Sequence, residues 1–466
     1  MNNDTICALS TAPGQGAIAI VRLSGIDAIS VAGKIFVPHR KSHPLSEQAS
    51  HTVQFGDIRD PENGALIDEV LVTLFRTPHS YTGEDLVEIS CHGSSYIEQQ
   101  ILRLLLRYGC RMAQPGEFTQ RAFLDGKMDL SQAEAVADII ASESAAAHRL
   151  AVQQLKGGFS KALNDLREQL LNFTALIELE LDFSEEEVEF ADRSQLSELI
   201  HHIDSVISRL IDSFNVGNAI KNGIPVAIVG ETNVGKSTLL NKLLHEERAL
   251  VSDIHGTTRD TIEEVLVLDG IQFRFIDTAG IRDTRDHIES MGIERTFNKI
   301  EQASLLLVVL DATRDNESLA TFISQITKKT AGKKRIFILN KADKITAGER
   351  KQRIDLPFPD SDPYVFLSAK KGEGIDLLEQ KIVEAAQIPH IGNNDVIVTN
   401  MRHQEALSMA RTAIRRVIDG MERNLSGEFL SQDIREAIFY LGTITGGAIT
   451  PDEVLGSIFS RFCIGK

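Results

Sequence analysis

Short apolar runs alternate with helical repeats of apolar residues in the part of the chain that follows residue 222. Four of these runs have the length of buried strands: residues 226–229, 271–276, 305–310 and 336–339. Directly after the first run, residues 238–244 place their apolar side chains at helical spacing. Alternating strand and helix patterns are typical of an α/β domain, which we place at residues 223–388.

The N-terminal part of the chain mixes the two periodicities. Strand-like runs occupy residues 17–23, 66–75 and 85–90, and residues 94–108 have helical spacing. The pattern therefore predicts an α+β domain over residues 1–122.

Helical patterns lie on both sides of the predicted α/β domain, at residues 123–222 and 389–466. Ser131 begins a capping-box pattern that predicts a long alanine-rich helix, and Thr450 begins a second one. Residues 401–418 are amphipathic. A core-facing stripe recurs every three or four positions at Leu196, Ile200, Ile203, Ile207, Leu210 and Phe214. We predict one helical domain whose two halves pack together, with the α/β domain inserted between them.

Composition limits the compartment and the partners. The 466 residues carry a formal charge of −17, which argues against indiscriminate nucleic-acid binding. No run approaches the ~20 apolar residues of a membrane span, and no secretory signal pattern is visible. The four cysteines lack zinc-binding spacing. Together these features predict a cytoplasmic protein without a membrane partner.

A phosphate-binding loop follows the first strand of the α/β domain. Its sequence is Gly230-Glu231-Thr232-Asn233-Val234-Gly235-Lys236-Ser237, with Thr238 next. Glycines allow successive backbone N–H groups to surround phosphate oxygens, and the following helix adds a favourable dipole. Lys236 can reach the β and γ phosphates and act in catalysis, while the Ser237 hydroxyl can bind Mg²⁺. The loop predicts binding of a nucleoside triphosphate.

Four further segments follow in the order that a GTPase requires. They are Gly256-Thr257-Thr258-Arg259-Asp260, Asp277-Thr278-Ala279-Gly280, Asn340-Lys341-Ala342-Asp343 and Ser368-Ala369-Lys370. The first has the position of a switch segment. Asp277 can reach the magnesium shell, and the Asp343 carboxylate can accept two hydrogen bonds from guanine, a donor pair that adenine lacks. The last segment closes over the base. The ordered set predicts a GTPase.

The residue that follows Asp277-Thr278-Ala279-Gly280 is Ile281, where many small GTPases have a glutamine that orients the attacking water. Isoleucine cannot orient water. Glu289 is the nearest downstream candidate for that role, and a solvated carboxylate is the alternative interpretation of this residue.

Further motifs lie outside the α/β domain. They are Thr11-Ala12-Pro13-Gly14-Gln15-Gly16, Val21-Arg22-Leu23-Ser24-Gly25, Ser80-Tyr81-Thr82-Gly83-Glu84-Asp85, Pro115-Gly116-Glu117-Phe118-Thr119-Gln120-Arg121-Ala122-Phe123, Lys127-Met128-Asp129-Leu130 and Phe462-Cys463-Ile464-Gly465-Lys466. With these motifs the whole chain resembles the family of tRNA-modification GTPases known as MnmE or TrmE. The fold that the resemblance implies is an N-terminal α+β, folate-binding-like domain, a helical domain and an inserted P-loop GTPase α/β domain.

The resemblance also implies an activity with partners. Members act with an FAD-dependent flavoprotein, MnmG, on C5 of the wobble uridine of tRNA. They add an aminomethyl or carboxymethylaminomethyl group, using a tetrahydrofolate one-carbon derivative and GTP hydrolysis, and they form homodimers through the N-terminal domain. By motif position the folate-binding residues are Arg22, Glu88, Lys127 and Lys466. Without the resemblance, these four are interpreted as ordinary surface charges or ion pairs.

The resemblance implies that K⁺ supplies the positive charge that other systems take from an arginine finger. The implied K⁺ ligands are Asn233, Ser252, Ile254 and Thr257. The implied nucleotide-binding stretch around them is Ser252-Asp253-Ile254-His255-Gly256-Thr257-Thr258. Thr258 becomes the second Mg²⁺ ligand and a catalytic residue, and Glu289 the residue that orients the water. Thr232 stands where relatives usually have proline.

Three questions stay open at this level. Cys463 is a candidate nucleophile toward the uridine ring, with a packing or folate-site role as the alternative. A ribosome-assembly GTPase shares the nucleotide motifs, although this acidic chain shows no basic RNA-binding domain. A stand-alone folate enzyme with a regulatory GTPase domain is the third function, and it would need no flavoprotein partner.

Overall fold

The computed structural model describes residues 4–39, 44–182, 193–245, 264–276, 301–386, 396–423, 425–447, 452–460 and 462–465. The chain divides into two compact units. One comprises Met1–Ile140, Gln153–Ile207 and Glu405–Lys466, and the other comprises Ala141–Val152 and Ser208–Gln404.

The described α-helices and β-strands are labelled in chain order. The helices are α1 Ala28–Ile35, α2 Ser95–Arg107, α3 Glu117–Leu124, α4 Leu130–Ile140, α5 Ala145–Leu155, α6 Gly158–Asp182, α7 Arg193–Asn222, α8 Lys236–His245, α9 Asn316–Lys329, α10 Ala347–Ile354, α11 Ile375–Ala386, α12 Met401–Glu422, α13 Gly427–Thr445 and α14 Asp452–Phe459. The strands are β1 Thr5–Leu9, β2 Gly16–Ser24, β3 Phe36–Pro38, β4 Thr52–Arg59, β5 Leu66–Phe75, β6 Leu86–Gly93, β7 Cys110–Met112, β8 Ile224–Val229, β9 Glu264–Leu268, β10 Ile271–Phe275, β11 Leu305–Asp311, β12 Lys334–Asn340 and β13 Tyr364–Phe366.

The first unit contains a seven-stranded sheet in the order β3-β4-β5-β6-β2-β1-β7. Its pairs are antiparallel except β1 with β7. Strand β5 alternates buried and exposed residues, because successive side chains of a strand point to opposite faces. One face packs into a core with α1 and α2 that includes Val70, Val72 and Ile89.

The helical part of the first unit combines segments from distant parts of the sequence. Helix α6 packs along α13, and Glu178 Oε1 of α6 accepts a hydrogen bond from Arg435 Nη2 of α13 at 2.5 Å. The predicted apolar stripe on α7 is confirmed, since all six of its side chains are buried. Within the first unit, Leu130 and Ala133 of α4 share a core cluster with Leu455 and Phe459 of α14.

The predicted helix start at Ser131 is wrong. Helix α4 begins at Leu130, and Asp129 has the capping role: its Oδ1 accepts a hydrogen bond from Gln132 N, and Gln132 Oε1 accepts one from Asp129 N, both at 2.9 Å. The hydroxyl of Ser131 instead donates to Asp129 Oδ1. The alanine-rich stretch is also divided into α4 and α5 rather than one long helix. The second predicted capping box, at Thr450, lies outside the described residues.

The second unit contains a six-stranded sheet in the order β13-β12-β11-β8-β10-β9. All neighbours are parallel except β9 with β10. Strand β11 is buried almost throughout, as expected when helices cover both faces of a parallel sheet. The carboxyl ends of β8, β11, β12 and β13 therefore meet at one edge, which is where α/β sheets bind their ligands.

Candidate functional site

The glycine-rich loop connects β8 to α8 and depends on close backbone approaches. A Cβ at Gly230 would collide with the carbonyl oxygen of Val309, and one at Gly235 would collide with the Asn340 side chain. Gly235 has a φ of 98° and Asn233 a φ of 60°, both in the left-handed region that favours glycine and, less strongly, asparagine. The chain therefore turns tightly here, and successive backbone N–H groups of such a loop can surround an anion.

Lys236 begins helix α8 and lies across this loop. Its Nζ donates to the carbonyl oxygens of Gly230 at 2.8 Å and Glu231 at 2.6 Å. An ammonium group at a helix N-terminus can bind phosphate oxygens, because its charge and the helix dipole act on the same anion. Val234 is buried, Ser237 half-buried, and Thr238 exposed.

Asn340 joins the loop to two other predicted segments. This side chain is buried; its Nδ2 donates to Val234 O at 2.8 Å, and its Oδ1 accepts from the backbone N–H groups of Lys341 at 2.8 Å and Ala369 at 3.0 Å. The amide thus satisfies three backbone groups from three separate segments. The asparagine holds the loops in register rather than facing solvent.

Lys341 makes a second connection to the glycine-rich loop. Its Nζ donates to Asn233 O at 2.9 Å and to Asp311 Oδ2 at 2.6 Å. Burial raises the pKa of Asp311, but hydrogen bonds from Lys341 and Thr313 outweigh it, and the net pKa lies below its usual value. Asp311 was not predicted as a site residue, although it directly follows the apolar run at residues 305–310.

Asp343 lies opposite the Ser368-Ala369-Lys370 segment. Its Oδ1 accepts a hydrogen bond from Ser368 Oγ at 2.8 Å, and this bond is the main reason why the pKa of Asp343 is lowered. Ser368 is buried and pairs through its backbone with Glu373, whereas Lys370 is exposed. An ionised carboxylate held in this way can accept hydrogen bonds from two adjacent N–H donors.

A second group of predicted residues meets in the first unit. Arg22 of β2 and Glu88 of β6 are register partners, and Arg22 Nε and Nη2 donate to Glu88 Oε1 at 3.0 and 2.7 Å. Arg22 Nη1 also donates to Gly465 O at 3.3 Å. The Arg22 guanidinium lies 5.5 Å from the ring centre of Tyr81 and 5.7 Å from that of Phe118.

Lys127, the third predicted folate residue, does not contact Arg22 but contacts the segment that contains Tyr81. Its Nζ donates to Pro78 O at 2.7 Å, three residues before Tyr81. Cys463 is exposed, and its carbonyl oxygen accepts a hydrogen bond from Gly116 N at 3.4 Å.

The same unit contains an ion-pair network around Arg121, none of whose members is a predicted site residue. Arg121 contacts Asp4 at 2.8 Å, Glu84 at 3.0 Å and Glu117 at 3.0 Å. Burial raises the pKa of Glu117. Hydrogen bonds from Arg111, Gln114 N and Arg121 lower this pKa by more than burial raises it, so the net pKa is below the usual 4.5. The network joins the motif at residues 80–85 to the motif at residues 115–123, and membership in these motifs is its only sequence signal.

Several predicted site residues lie outside the described residues. They are Ser252, Asp253, Ile254, His255, Gly256, Thr257, Thr258, Asp277, Thr278, Ala279, Gly280, Glu289 and Lys466. Their roles stay predictions.

Comparison with known proteins identifies the family. Residues 5–127 match the model of the GTP-binding protein TrmE N-terminus, and residues 130–463 match the MnmE helical domain. The tRNA modification GTPase MnmE of Bacteroides thetaiotaomicron is 58% identical over 469 residues and covers all of both chains. The chain belongs to the MnmE family of tRNA modification GTPases. The member from Flavobacterium johnsoniae is 53% identical, again over all of both chains.

Membership in the MnmE family agrees with the architecture. The predicted combination of an N-terminal α+β domain, a helical domain and an α/β GTPase domain is confirmed. The chain is a GTP hydrolase. A solved structure of Era from Aquifex aeolicus bound to GDP and AlF4⁻ is 30% identical and covers 41% of this chain and 66% of that chain, with a TM-score of 0.28. None of the helices within the described ranges is both long and apolar enough to cross a bilayer.

Proposed function

We propose that this chain is a K⁺-stimulated GTPase of the cytoplasm that, with an FAD-dependent MnmG-type partner, modifies C5 of the wobble uridine of tRNA. Its close relatives are named tRNA modification GTPases. The observation that carries the nucleotide part is Asn340, whose amide holds the glycine-rich loop and the Ser368-Ala369-Lys370 segment together.

The arrangement fits GTP with Mg²⁺. A Cβ at Gly235 would fill the space that Asn340 occupies beside the loop, so the loop depends on glycine there. Lys236 binds the β and γ phosphates, and Asp343 accepts hydrogen bonds from guanine. Ser237 and Thr258 hold Mg²⁺, which neutralises phosphate charge during hydrolysis. The segments at residues 252–258 and 277–280 complete the nucleotide-binding set.

The K⁺ part of the proposal rests on Asn233. This residue is exposed and has a left-handed backbone conformation beside the phosphate-binding position. Ser252, Ile254 and Thr257 complete the proposed ligand set, and Glu289 orients the water in place of the missing glutamine. Held there, K⁺ would supply the fixed positive charge that stabilises a transition state.

The folate part rests on the surroundings of Arg22. Its guanidinium pairs with Glu88 and lies near two aromatic rings, which offer flat apolar surface to a pterin. Arg22, Lys127 and Lys466 suit the carboxylates of a tetrahydrofolate one-carbon derivative, and Glu88 suits pterin N–H groups. Gly465 contacts Arg22 and is followed directly by Lys466.

The homodimer part rests on an exposed apolar face of the N-terminal sheet. Val53, Phe55 and Leu71 on β4 and β5 are 56%, 49% and 47% exposed. Phe55 and Leu71 are register partners, so their side chains lie on the same face of the sheet. Exposed adjacent apolar side chains of this kind are typical of an interface.

The test is GTP turnover by the full chain in K⁺ and in Na⁺ at equal ionic strength. We expect strong stimulation by K⁺, which Asn233→Ala abolishes. Equal rates in the two salts would refute the K⁺ mechanism. Adding tRNA, a folate one-carbon donor and the flavoprotein partner then tests uridine modification. Modification without the partner would instead favour the stand-alone folate enzyme.

A further inference from the structure

Three potential metal ligands meet on the sheet of the first unit, apart from both sites described above. Asp57 of β4 and Glu69 of β5 are register partners. On the other side of β4, Val37 of β3 is also a register partner of Asp57. His39 follows Val37 by two positions, so its side chain leaves the backbone toward the same face. Three adjacent chain segments therefore contribute one polar side chain each.

The three ligand atoms are close together. His39 Nε2 lies 2.5 Å from Asp57 Oδ1 and 3.9 Å from Glu69 Oε1, and all three atoms lie within 4.8 Å of one another. Ligand atoms bound to a tetrahedral Zn²⁺ are separated by about 3.3 Å, given metal–ligand bonds of about 2.0 Å. The His39 and Glu69 side chains are 35% and 57% exposed, so both can adjust to reach that geometry.

Neighbouring side chains orient two of these ligands. Arg59 Nε and Nη2 both donate to Asp57 Oδ2, at 3.0 and 2.6 Å, which directs Oδ1 toward His39. The ring of Phe55 lies edge-on to the His39 ring at 4.5 Å, and His39 N donates to Phe55 O at 3.2 Å. Contacts that fix ligand orientation are characteristic of metal sites.

A simple histidine–carboxylate pair is the alternative, and the same sheet contains one for comparison. His92 Nδ1 lies 2.8 Å from Asp68 Oδ1. Within the described ranges, no third histidine, cysteine or acidic side chain completes a metal-binding group at that pair. The difference between the two places is Glu69, a second carboxylate that a histidine–aspartate pair does not need.

We propose that His39, Asp57 and Glu69 bind one Zn²⁺. An imidazole nitrogen with two carboxylate oxygens suits Zn²⁺ better than Mg²⁺ or Ca²⁺, which prefer oxygen ligands alone. Three protein ligands leave one position of a tetrahedral ion open to water. The ion would link β4 and β5 to His39, which directly follows β3, and the site is separate from GTP hydrolysis.

The experiment compares full-length variants after removal of metal with a chelator. Each protein is equilibrated with Zn²⁺, and the bound metal is measured by elemental analysis; Co²⁺ absorption in the visible range then reports the ligand geometry. The variants are His39→Ala and Glu69→Gln, with His92→Ala as the matched control. Glu69 is exposed, so Glu69→Gln keeps the fold, and unchanged hydrogen exchange of β4 and β5 verifies this.

The wild-type chain and His92→Ala should bind one more Zn²⁺ than His39→Ala does. Glu69→Gln should weaken Zn²⁺ binding about tenfold or more and change the Co²⁺ spectrum. Equal Zn²⁺ content in all four proteins would overturn the proposal. So would loss of the ion in His92→Ala alone.

Discussion

The candidate nucleotide site and the Arg22–Glu88 site bring their residues together by different means. In the second unit, loops meet because the parallel strands β8, β12 and β13 end at one edge. In the first unit, Arg22 contacts Glu88, 66 residues away, and Gly465, 443 residues away. The nucleotide site is made mainly of backbone turns, whereas the Arg22 site is made of side chains and the segment that contains Gly465.

The two sites are therefore sensitive to different substitutions. The nucleotide loops are held by hydrogen bonds from the Asn340 amide and from Lys341 Nζ, which donates to Asn233 O. The Arg22 site depends on how the C-terminal segment packs. Variants that separate chemistry from packing therefore affect the two sites differently.

The largest effect is expected from Lys236→Ala. Removal of the ammonium group from the phosphate-binding loop eliminates positive charge beside the γ phosphate, and we expect GTP turnover to fall about 10³-fold. Single-turnover hydrolysis of GTP measures this fall in rate. Lys328→Ala, an exposed lysine on α9, is the control. Turnover close to the wild-type value in Lys236→Ala would show that the loop does not hold the phosphates.

Arg121→Ala should destabilise the first unit and leave the nucleotide site intact. It removes a cation from three carboxylates, and Arg121 is only 10% exposed, so the cost is about 3 kcal/mol. Hydrogen exchange of β1 and α3 measures the free energy of local opening.

Arg107→Ala is the matched control for Arg121→Ala. Its side chain is 47% exposed and pairs with Glu62 at 3.2 Å, so its loss should cost less than about 1 kcal/mol. Similar exchange in the two variants would mean that the Arg121 network does not support the unit. A loss of GTP turnover in Arg121→Ala would contradict the separation of the sites.

Gly465→Ala is expected to have the smallest effect. Gly465 has a φ of 94°, and a Cβ would collide with the carbonyl oxygen of Leu9, so the segment must move away from Arg22. We expect binding of a tetrahydrofolate one-carbon derivative to weaken about tenfold, with GTP turnover unchanged. Titration calorimetry measures the affinity.

Gly456→Ala provides the control for Gly465→Ala. Gly456 lies in α14, and a Cβ there would have no neighbour within 4 Å. Folate affinity should equal that of the wild-type chain. Equal weakening by both substitutions would show that the position of the C-terminal segment beside Arg22 is irrelevant to folate binding.

The sequence predicts the nucleotide loops well because each is a contiguous motif after an apolar run. Residues 66–75 were predicted as a strand and form β5 with the same ends. The start of α4 was missed because Asp129 and Gln132 form the reciprocal capping bonds that the sequence assigned to Ser131 and Glu134.

The Arg22 site shows what local patterns cannot provide. The pairing of Arg22 with Glu88 depends on the register of β2 and β6, and the position of Gly465 depends on tertiary packing. Neither has a local signal, so only family resemblance placed these residues together. The Arg121 network depends on tertiary packing in the same way, whereas Asp311 has a local signal, because it directly follows the apolar run at residues 305–310.

Guanine recognition by Asp343 decides whether this edge of the sheet is a guanine-nucleotide site. The measurement is the affinity of GDP and of xanthosine diphosphate for the wild-type chain and for Asp343→Asn. Asparagine cannot accept both guanine donors but can donate to the additional oxygen of xanthine, so GDP binding should weaken roughly 100-fold while xanthosine diphosphate binding improves. Unchanged GDP affinity in Asp343→Asn would contradict the assignment of this edge of the sheet as a guanine-nucleotide site.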